Sequence, residues 1–166
     1  MVLRAAFHVR GTICMPGNAA YQFVDSNIVV YAHDLSAGDK NRRARELIES
    51  LWESRTGCLS LQVLQEFYVT VTQKVPIPLE PTDASRIIND LLFWRIHEPR
   101  SKDVMEAISI QQRNQISFWD AMIIQSAIQL GCQVIWSEDL SSNQLYEGIR
   151  LANPFHPLSE SNEVNP

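Results

Sequence analysis

Short apolar runs alternate with longer amphipathic segments through most of this chain. Each run has the length of a strand, and the segments between the runs are long enough for helices. This alternation predicts an α/β fold built from βαβ units, with a mainly parallel sheet and helices on both of its faces. The predicted strands are residues 21–24, CLSL from residue 58, WRIHEP from residue 94, CQVIW from residue 132 and GIRLAN from residue 148.

The amphipathic segments carry apolar residues at the three- and four-residue spacing of helices. The clearest runs from Asp39 to Ser54, with charged residues on its outer face, and Gly57 is expected to end it. The run IVVYA after Asp25 has two interpretations. It could prolong the first strand, or one of residues 25–27 could cap a short helix. Further helices are predicted over residues 61–74, over 82–93 with Thr82 as N-cap, from Ser101 onward and over 117–130.

The composition is that of one soluble globular domain. The chain has 166 residues, of which 45% are hydrophobic and 20% are charged. We expect the domain over residues 21–156, preceded by an extension at residues 1–20 and followed by a polar tail at residues 157–166. Met15 is an alternative translation start.

Cysteine usage and hydropathy favour a cytoplasmic protein. The three cysteines, Cys14, Cys58 and Cys132, contain no CxxC pair, so they predict neither a disulfide framework nor a zinc site. No apolar run is long enough for a transmembrane helix or for the core of a secretion signal. We therefore expect no membrane partner.

The formal net charge of -5 removes the simplest argument for a nucleic-acid partner, which is a strongly basic domain. An acidic balance still permits RNA binding if carboxylates hold divalent cations, because the ions reverse the local charge. The basic run Lys40, Arg42, Arg43 and Arg45 is better explained as a solvated helix face than as an RNA contact.

Four acidic residues occupy informative positions relative to the predicted elements. Asp25 ends the first strand and Asp139 follows CQVIW, while Asp120 lies in the first turn of a helix and Glu66 interrupts an apolar helix. Ligands of parallel sheets bind beyond the carboxyl ends of the strands. Clustered carboxylates repel one another unless a cation lies among them, and hard oxygen ligands select magnesium, manganese or calcium over zinc.

Each acid also has a simpler explanation. Asp25 could be a turn or cap residue, and Glu66 could face solvent on its helix. Ser117 and Asp120 have the spacing of a capping box, so the carboxylate of Asp120 could be structural. Asp139 could be an ordinary loop residue.

The four acids and their flanking residues together resemble the PIN-domain family, particularly the VapC-type toxins of bacterial and archaeal toxin–antitoxin pairs. The similarity covers about residues 22–155. The stretches that carry it are FVDSNIVVYAHD with Asp25, SLQVLQEF with Glu66, ISFWDAMIIQSA with Asp120, and VIWSEDLSSNQLYEGIRLANPF with Asp139.

The resemblance implies a three-layer α/β/α nuclease that uses Mg²⁺ or Mn²⁺ to hydrolyse RNA phosphodiester bonds. Asp25, Asp120 and Asp139 would bind the metal directly or through water, and Glu66 would complete the site or assist the attacking water. Asn27 and Ser137 would orient these acids from behind. Family members often work as homodimers, are held inactive by a small antitoxin and need no small-molecule cofactor.

Two alternatives remain at the level of sequence. A catalytically silent PIN-like interaction module would lack one of the acids, whereas all four are present. A phosphatase or phosphotransfer domain often pairs its nucleophilic Asp with a Lys, and no Lys lies at the ends of the later predicted strands. The tryptophans Trp94, Trp119 and Trp136 could stack on bases, although burial in the core or at a dimer contact is the expected role of large aromatic residues in apolar surroundings.

Overall fold

Strands and helices alternate in this protein, whose computed structural model describes residues 20–140 and 144–156. Most of the predicted N-terminal extension, including Met15, and the predicted tail lie outside the described residues. The elements are β1 Gln22–Val24, α1 Ser26–His33, a 3-10 turn Leu35–Ala37, α2 Asp39–Ser54, β2 Gly57–Ser60, α3 Leu61–Gln73, α4 Pro81–Leu91, β3 Arg95–His97, α5 Ser101–Asn114, α6 Phe118–Gln129, β4 Val134–Trp136, β5 Leu145–Tyr146 and β6 Ile149–Ala152.

The described strands form one sheet in the order β3-β2-β1-β4-β6-β5. All neighbours are parallel except the pair β5 and β6. β1 lies between β2 and β4, with Phe23 paired to Cys58 on one side and to Ile135 on the other. The carboxyl ends of these strands therefore meet at one edge of the sheet.

Helices flank the sheet in two groups. α1 packs against α2 and α3, α3 packs against α4, and α5 packs against α6. Phe23, Leu59 and Ile135 of the central strands are fully buried because helices cover the sheet. The expected α/β/α arrangement with a mainly parallel sheet is confirmed. Within the described residues, no helix has the length and hydropathy needed to cross a bilayer.

The run after Asp25 is a helix and not a continuation of the first strand. The Asp25 carboxylate accepts a hydrogen bond of 2.6 Å from the Ser26 amide, and the Ile28 amide donates to the Asp25 carbonyl over 3.2 Å. These bonds satisfy donors that the first turn of a helix leaves unpaired. Burial of Ile28, Val29 and Val30 then holds α1 against its neighbours.

The predicted extent of α2, Asp39–Ser54, is confirmed, but two residues predicted to delimit helices, Gly57 and Thr82, do not have that role. α2 ends with Arg55 in the left-handed conformation, at φ 57°, and Gly57 instead opens β2. A Cβ at Gly57 would lie 2.4 Å from the Trp94 ring, so this glycine is required for close packing. α4 begins at Pro81 with Glu80 as N-cap, and Thr82 lies inside the helix. Proline fits the first helical position because the amide there has no partner in the helix.

The strand β5 was not predicted from the sequence. It forms a hairpin with β6 through Glu147 and Gly148, whose φ angles of 51° and 83° are both positive. Turns of this kind match the twist of antiparallel strands, and their usual sequence signal is Asn-Gly or Asp-Gly.

Candidate active site

Asp25 lies at the centre of a polar cluster beyond the end of β1. Its side chain is buried, and only 8% of the residue is exposed. Oδ1 accepts the Ser26 amide that begins α1. Oδ2 accepts a hydrogen bond from the Ser137 hydroxyl over 2.7 Å and lies 3.4 Å from the side-chain nitrogen Nδ2 of Asn27. Both oxygens are therefore fixed by donors, and the carboxylate cannot rotate freely.

Ser137 joins the carboxyl ends of β1 and β4. It follows the last residue of β4 and is buried. Its hydroxyl donates to Asp25 and accepts the backbone amides of Asp139 and Leu140 over 3.2 and 3.4 Å. One hydroxyl thus holds the Asp25 carboxylate and the turn that presents Asp139.

Asn27 connects α1 to the same turn. Its side-chain amide donates to Asp139 Oδ2 over 3.0 Å, and its carbonyl oxygen accepts the Glu138 amide over 3.4 Å. The structure therefore brings Asp25 and Asp139 together through shared contacts to Asn27 and Ser137. Their role in orienting these acids for a metal ion stays a prediction.

Glu66 reaches the cluster from α3. Its Oε2 accepts the Ser26 hydroxyl over 2.6 Å, and its Oε1 accepts the Gln62 side-chain amide over 2.9 Å. The Ser26 hydroxyl also lies 3.3 Å from Asp25 Oδ1. Ser26 was considered only as a possible helix cap, and Gln62 was not predicted as a site residue. The spacing of Gln62 and Glu66, four residues apart on one helix face, is the signal that could have indicated Gln62.

The acids influence one another electrostatically. The pKa of Asp25 is raised to about 6, mainly by burial and to a smaller extent by the negative charges of Glu66 and Asp139, while hydrogen bonds from Ser137 and Ser26 oppose this rise. A group of this kind is held in its charged form more easily when a cation is close by. The electrostatics of the cluster therefore favour a positive ligand.

Asp120 forms one of the two hydrogen bonds of the capping box that its spacing from Ser117 predicts. Its amide donates to the Ser117 hydroxyl over 3.0 Å, and its carboxylate lies 2.7 Å from the same hydroxyl. α6 leads into β4 and packs against β2 and β6, so its first turn faces the carboxyl edge of the sheet. Among the described hydrogen bonds, however, none links Asp120 to Asp25, Glu66 or Asp139.

The donors of the cluster fit a hard divalent cation. Asp25, Glu66 and Asp139 offer carboxylate oxygens, the ligands that magnesium and manganese prefer. In the described part of the chain, no group of three or more His, Cys, Asp or Glu side chains is close enough to form a metal site of protein ligands alone. Magnesium commonly takes one or two carboxylates and fills its other positions with water and substrate phosphate, so a pair of acids satisfies its requirement.

Trp119 is exposed beside this edge of the sheet. It precedes Asp120 in the first turn of α6, and 63% of its surface is accessible. The Phe118 ring meets it edge-on at a centroid distance of 5.4 Å. Burial of Trp119 in the core, one of the expected roles, is therefore wrong for this residue. Trp94 and Trp136 are partly buried and pack against the core.

Comparison with protein families identifies the domain. The family model described as PIN domain matches residues 23–147. The chain belongs to the PIN-domain family. PIN domains are a family of nucleases, and the match spans Asp25, Glu66, Asp120 and Asp139. No curated protein matches the sequence significantly.

Solved structures share the PIN fold at low sequence identity. A toxin–antitoxin complex from Klebsiella pneumoniae aligns with a TM-score of 0.61 and 17% identity, over 82% of this chain and 99% of that chain. VapC20 from Mycobacterium tuberculosis, described as a sarcin–ricin loop cleaving toxin, aligns with a TM-score of 0.55 and 18% identity, over 71% and 89%. A DNA-bound VapBC from Salmonella typhimurium gives 0.58 and 16%, over 82% and 99%. At such identities the likeness establishes the fold.

Proposed function

We propose that this PIN domain is an endoribonuclease that uses Mg²⁺ or Mn²⁺ to hydrolyse RNA phosphodiester bonds, as the toxin of a toxin–antitoxin pair. The observation that carries the proposal is the convergence of Asp25, Glu66 and Asp139 beyond the carboxyl ends of β1 and β4, within a domain of a nuclease family. The raised pKa of Asp25 adds an electrostatic reason for a cation at this position.

Asp25 and Asp139 would hold the metal directly or through water, and Asp120 would complete the set from the first turn of α6. When bound, the ion lowers the pKa of a water molecule and neutralises charge on the scissile phosphate. Ser137 and Asn27 fix the two acids before the ion arrives, since both donate to the carboxylate oxygens. Hydrogen-bond partners that orient metal ligands in this way increase the affinity of the site for its metal.

Glu66 is suited to assist the attacking water. Its two oxygens accept hydrogen bonds from Ser26 and Gln62, which hold the carboxylate beside Asp25 without neutralising its charge. In this role Glu66 would accept a proton as the water oxygen attacks phosphorus. A positioned carboxylate that acts as a general base typically accelerates a reaction by about 10² to 10⁴.

Trp119 supports a single-stranded or looped RNA substrate. An exposed indole beside the acidic edge offers a face on which an unpaired base can stack. Stacking does not require a basic surface, which is consistent with the net charge of -5. Bases in a regular duplex are already stacked on their neighbours and are less available for such a contact.

We further propose that a cognate antitoxin binds the chain in the cytoplasm and that the chain forms a homodimer. The solved relatives from Klebsiella pneumoniae and Salmonella typhimurium are described as toxin–antitoxin or VapBC assemblies. Large apolar side chains on the surface support protein contacts, with Phe93 85% exposed and Met105 64% exposed.

A cleavage assay on purified protein tests the nuclease proposal. We expect the protein to cut a 5′-labelled RNA that contains single-stranded and stem-loop segments when Mg²⁺ or Mn²⁺ is present, and to stop cutting in EDTA. Asp25→Asn should abolish cleavage. Asp90→Asn, which removes an exposed acid from α4, is the matched control and should cut like the wild type. Cleavage that persists in EDTA or in Asp25→Asn would refute the proposal.

A catalytically silent PIN-like interaction module is the second candidate. It is favoured by one observation, that the described contacts of Asp120 are to its helix cap and not to the other acids. The same assay separates the two functions. A silent module would bind a protein partner and leave every RNA intact at all metal concentrations.

A further inference from the structure

Glu138 points away from the acid cluster although both of its neighbours belong to it. It lies between Ser137 and Asp139, and its backbone amide donates to Asn27 Oδ1. Its side chain instead forms an ion pair and hydrogen bond with Lys40 of α2, 98 positions earlier in the chain. The loop that carries Asp139 is therefore tied to the protein on two sides.

Lys40 is held by aromatic groups as well as by Glu138. Its ammonium donates to the Tyr31 hydroxyl over 3.3 Å and lies 4.7 Å from the centroid of the Tyr31 ring. It also lies 5.5 Å from the centroid of the Phe155 ring, which meets Tyr31 edge-on at 5.2 Å. Contacts of a cation with two aromatic faces add to the ion pair and restrict the long side chain.

Both members of the ion pair are charged near neutral pH. Burial would raise the pKa of Glu138, but hydrogen bonds from Lys40 and Tyr31 hold it below its usual value. The hydrogen bond to Glu138 raises the pKa of Lys40. The side chains remain partly accessible, 41% for Lys40 and 25% for Glu138.

Among the described residues, no other cation of α2 pairs with an acid of the loop after β4. Arg42 pairs with Asp39 and Glu46 on its own helix, and Arg45 pairs with Glu49. Arg43 pairs with Asp39 and also donates to the Phe155 carbonyl over 3.3 Å, outside the loop after β4. Lys40 is the exception, because its pairing joins α2 to the loop after β4.

We propose that Lys40, Tyr31 and Glu138 form a clamp that fixes the loop carrying Asp139, which makes Lys40 and Tyr31 positioning residues for that acid. The inference deepens the proposed function and rests on it. Asp139 follows β4 on a segment without regular secondary structure, and its residue is exposed. A carboxylate on an untethered loop loses conformational entropy when it binds a metal ion, and the clamp removes part of that cost in advance.

A direct contact between Lys40 and RNA phosphate is the competing explanation. It is disfavoured because the ammonium is already shared by Glu138, the Tyr31 hydroxyl and two ring faces. An RNA contact would have to displace the Glu138 carboxylate.

Hydrogen exchange in the metal-free protein tests the clamp without reference to catalysis. We expect the amides of Asp139 and Leu140, which donate to Ser137, to exchange about three to ten times faster in Lys40→Met than in the wild type. Arg42→Met removes a cation from the same helix and should leave this exchange unchanged. Tyr31→Phe removes only a hydroxyl, preserves the ring packing and should have a smaller effect. Lys40→Arg should restore most of the protection.

Manganese binding, followed by electron paramagnetic resonance without RNA, tests the consequence for the site. Lys40→Met should bind Mn²⁺ about three to ten times more weakly, while KM for RNA at saturating Mn²⁺ stays unchanged. Adding Lys40→Met to Glu138→Gln should cause little further loss of Mn²⁺ affinity, since both changes break the same contact.

The outcomes are distinguishable. If Lys40→Met and Arg42→Met have the same amide exchange rates at Asp139 and Leu140 and the same affinity for Mn²⁺, the proposed clamp is wrong. If Lys40→Met raises KM for RNA and changes neither measurement, Lys40 is a phosphate contact and the clamp is again wrong. If the wild type binds no Mn²⁺ while Lys40→Met still accelerates exchange, the clamp stands and the proposed nuclease function fails.

Discussion

The Asn27 side-chain amide lies 3.0 Å from Asp139 Oδ2 and 3.4 Å from Asp25 Oδ2, so a single donor lies between two acids that are far apart in the chain. Without a cation this amide partly offsets the repulsion between the two carboxylates. The compensation is incomplete, because burial and the neighbouring charges still raise the pKa of Asp25 to about 6.

Asp25→Asn should abolish cleavage and stabilise the metal-free protein. A rise in pKa from 3.8 to about 6 corresponds to about 3 kcal/mol against folding at neutral pH. An amide nitrogen in place of Asp25 Oδ2 cannot accept the hydrogen bonds from Ser137 and Asn27, each worth about 1 kcal/mol, so we expect the free energy of unfolding at pH 7 in EDTA to increase by about 1 kcal/mol. Urea unfolding checks this value, with Asp90→Asn as the control. A decrease in stability would contradict the electrostatic account.

The pH dependence of stability should change in the same variant. The carboxyl of Asp25 binds its proton more tightly in the folded chain than in the unfolded one, so its contribution to stability is present below about pH 4 and is lost as the pH rises through about 6. In EDTA, the wild type should therefore lose stability relative to Asp25→Asn between these values. If the free energies of unfolding of the two proteins changed with pH in parallel, the pKa of Asp25 would not be raised.

Ser117→Ala and Asp120→Asn should separate capping from catalysis. Ser117 caps α6, so its loss should lower the free energy of unfolding by about 1 kcal/mol and leave cleavage largely intact. Asp120→Asn retains a backbone donor and a side-chain acceptor for Ser117, so it should change stability by less than about 1 kcal/mol and abolish cleavage. Retained magnesium-dependent activity in Asp120→Asn would remove Asp120 from the proposed metal set.

Trp119→Ala should raise KM for single-stranded RNA by roughly tenfold with little change in kcat, because stacking on one base is worth about 1 to 3 kcal/mol. Trp119→Phe keeps an aromatic face and serves as the control. Steady-state kinetics and gel filtration together decide the role of the residue. If Trp119→Ala leaves KM unchanged and dissociates a dimer, Trp119 contacts protein and not RNA.

Gly57→Ala should destabilise the fold by about 1 to 3 kcal/mol, since the added methyl group overlaps the Trp94 ring. The cost should be smaller in a Trp94→Leu background, where the ring is absent. Urea unfolding of both single variants and the double variant measures this coupling. Additive effects would show that another contact makes Gly57 necessary.

The sequence was sufficient for the order of most elements, whereas the functional roles of the site residues stay predictions. Alternating apolar and amphipathic segments predicted the parallel sheet, and the acids at strand ends predicted the cluster around Asp25 and Asp139. The boundary after β1 stayed open because IVVYA is apolar and β-branched, which suits either a buried strand or a buried helix. The capping bond from Ser26 to Asp25 decides between the two.

The features that the sequence did not predict have separate physical causes. A local pattern placed Lys40 on a solvated helix face, and nothing near it in the chain indicated Glu138. The left-handed conformation of Arg55 was unexpected, because Gly57 was the more favourable residue for that role. The strand β5 is only two residues long, too short for an alternating pattern to be recognised.

The sheet ends on both sides in very short strands. β3 has three residues and β5 has two, so each offers few free backbone donors and acceptors to a strand from another molecule. Natural proteins use short edge strands to prevent aggregation through strand addition. For a dimer that uses the described residues, we therefore expect contacts through helical faces and side chains and not through a continuous intermolecular sheet.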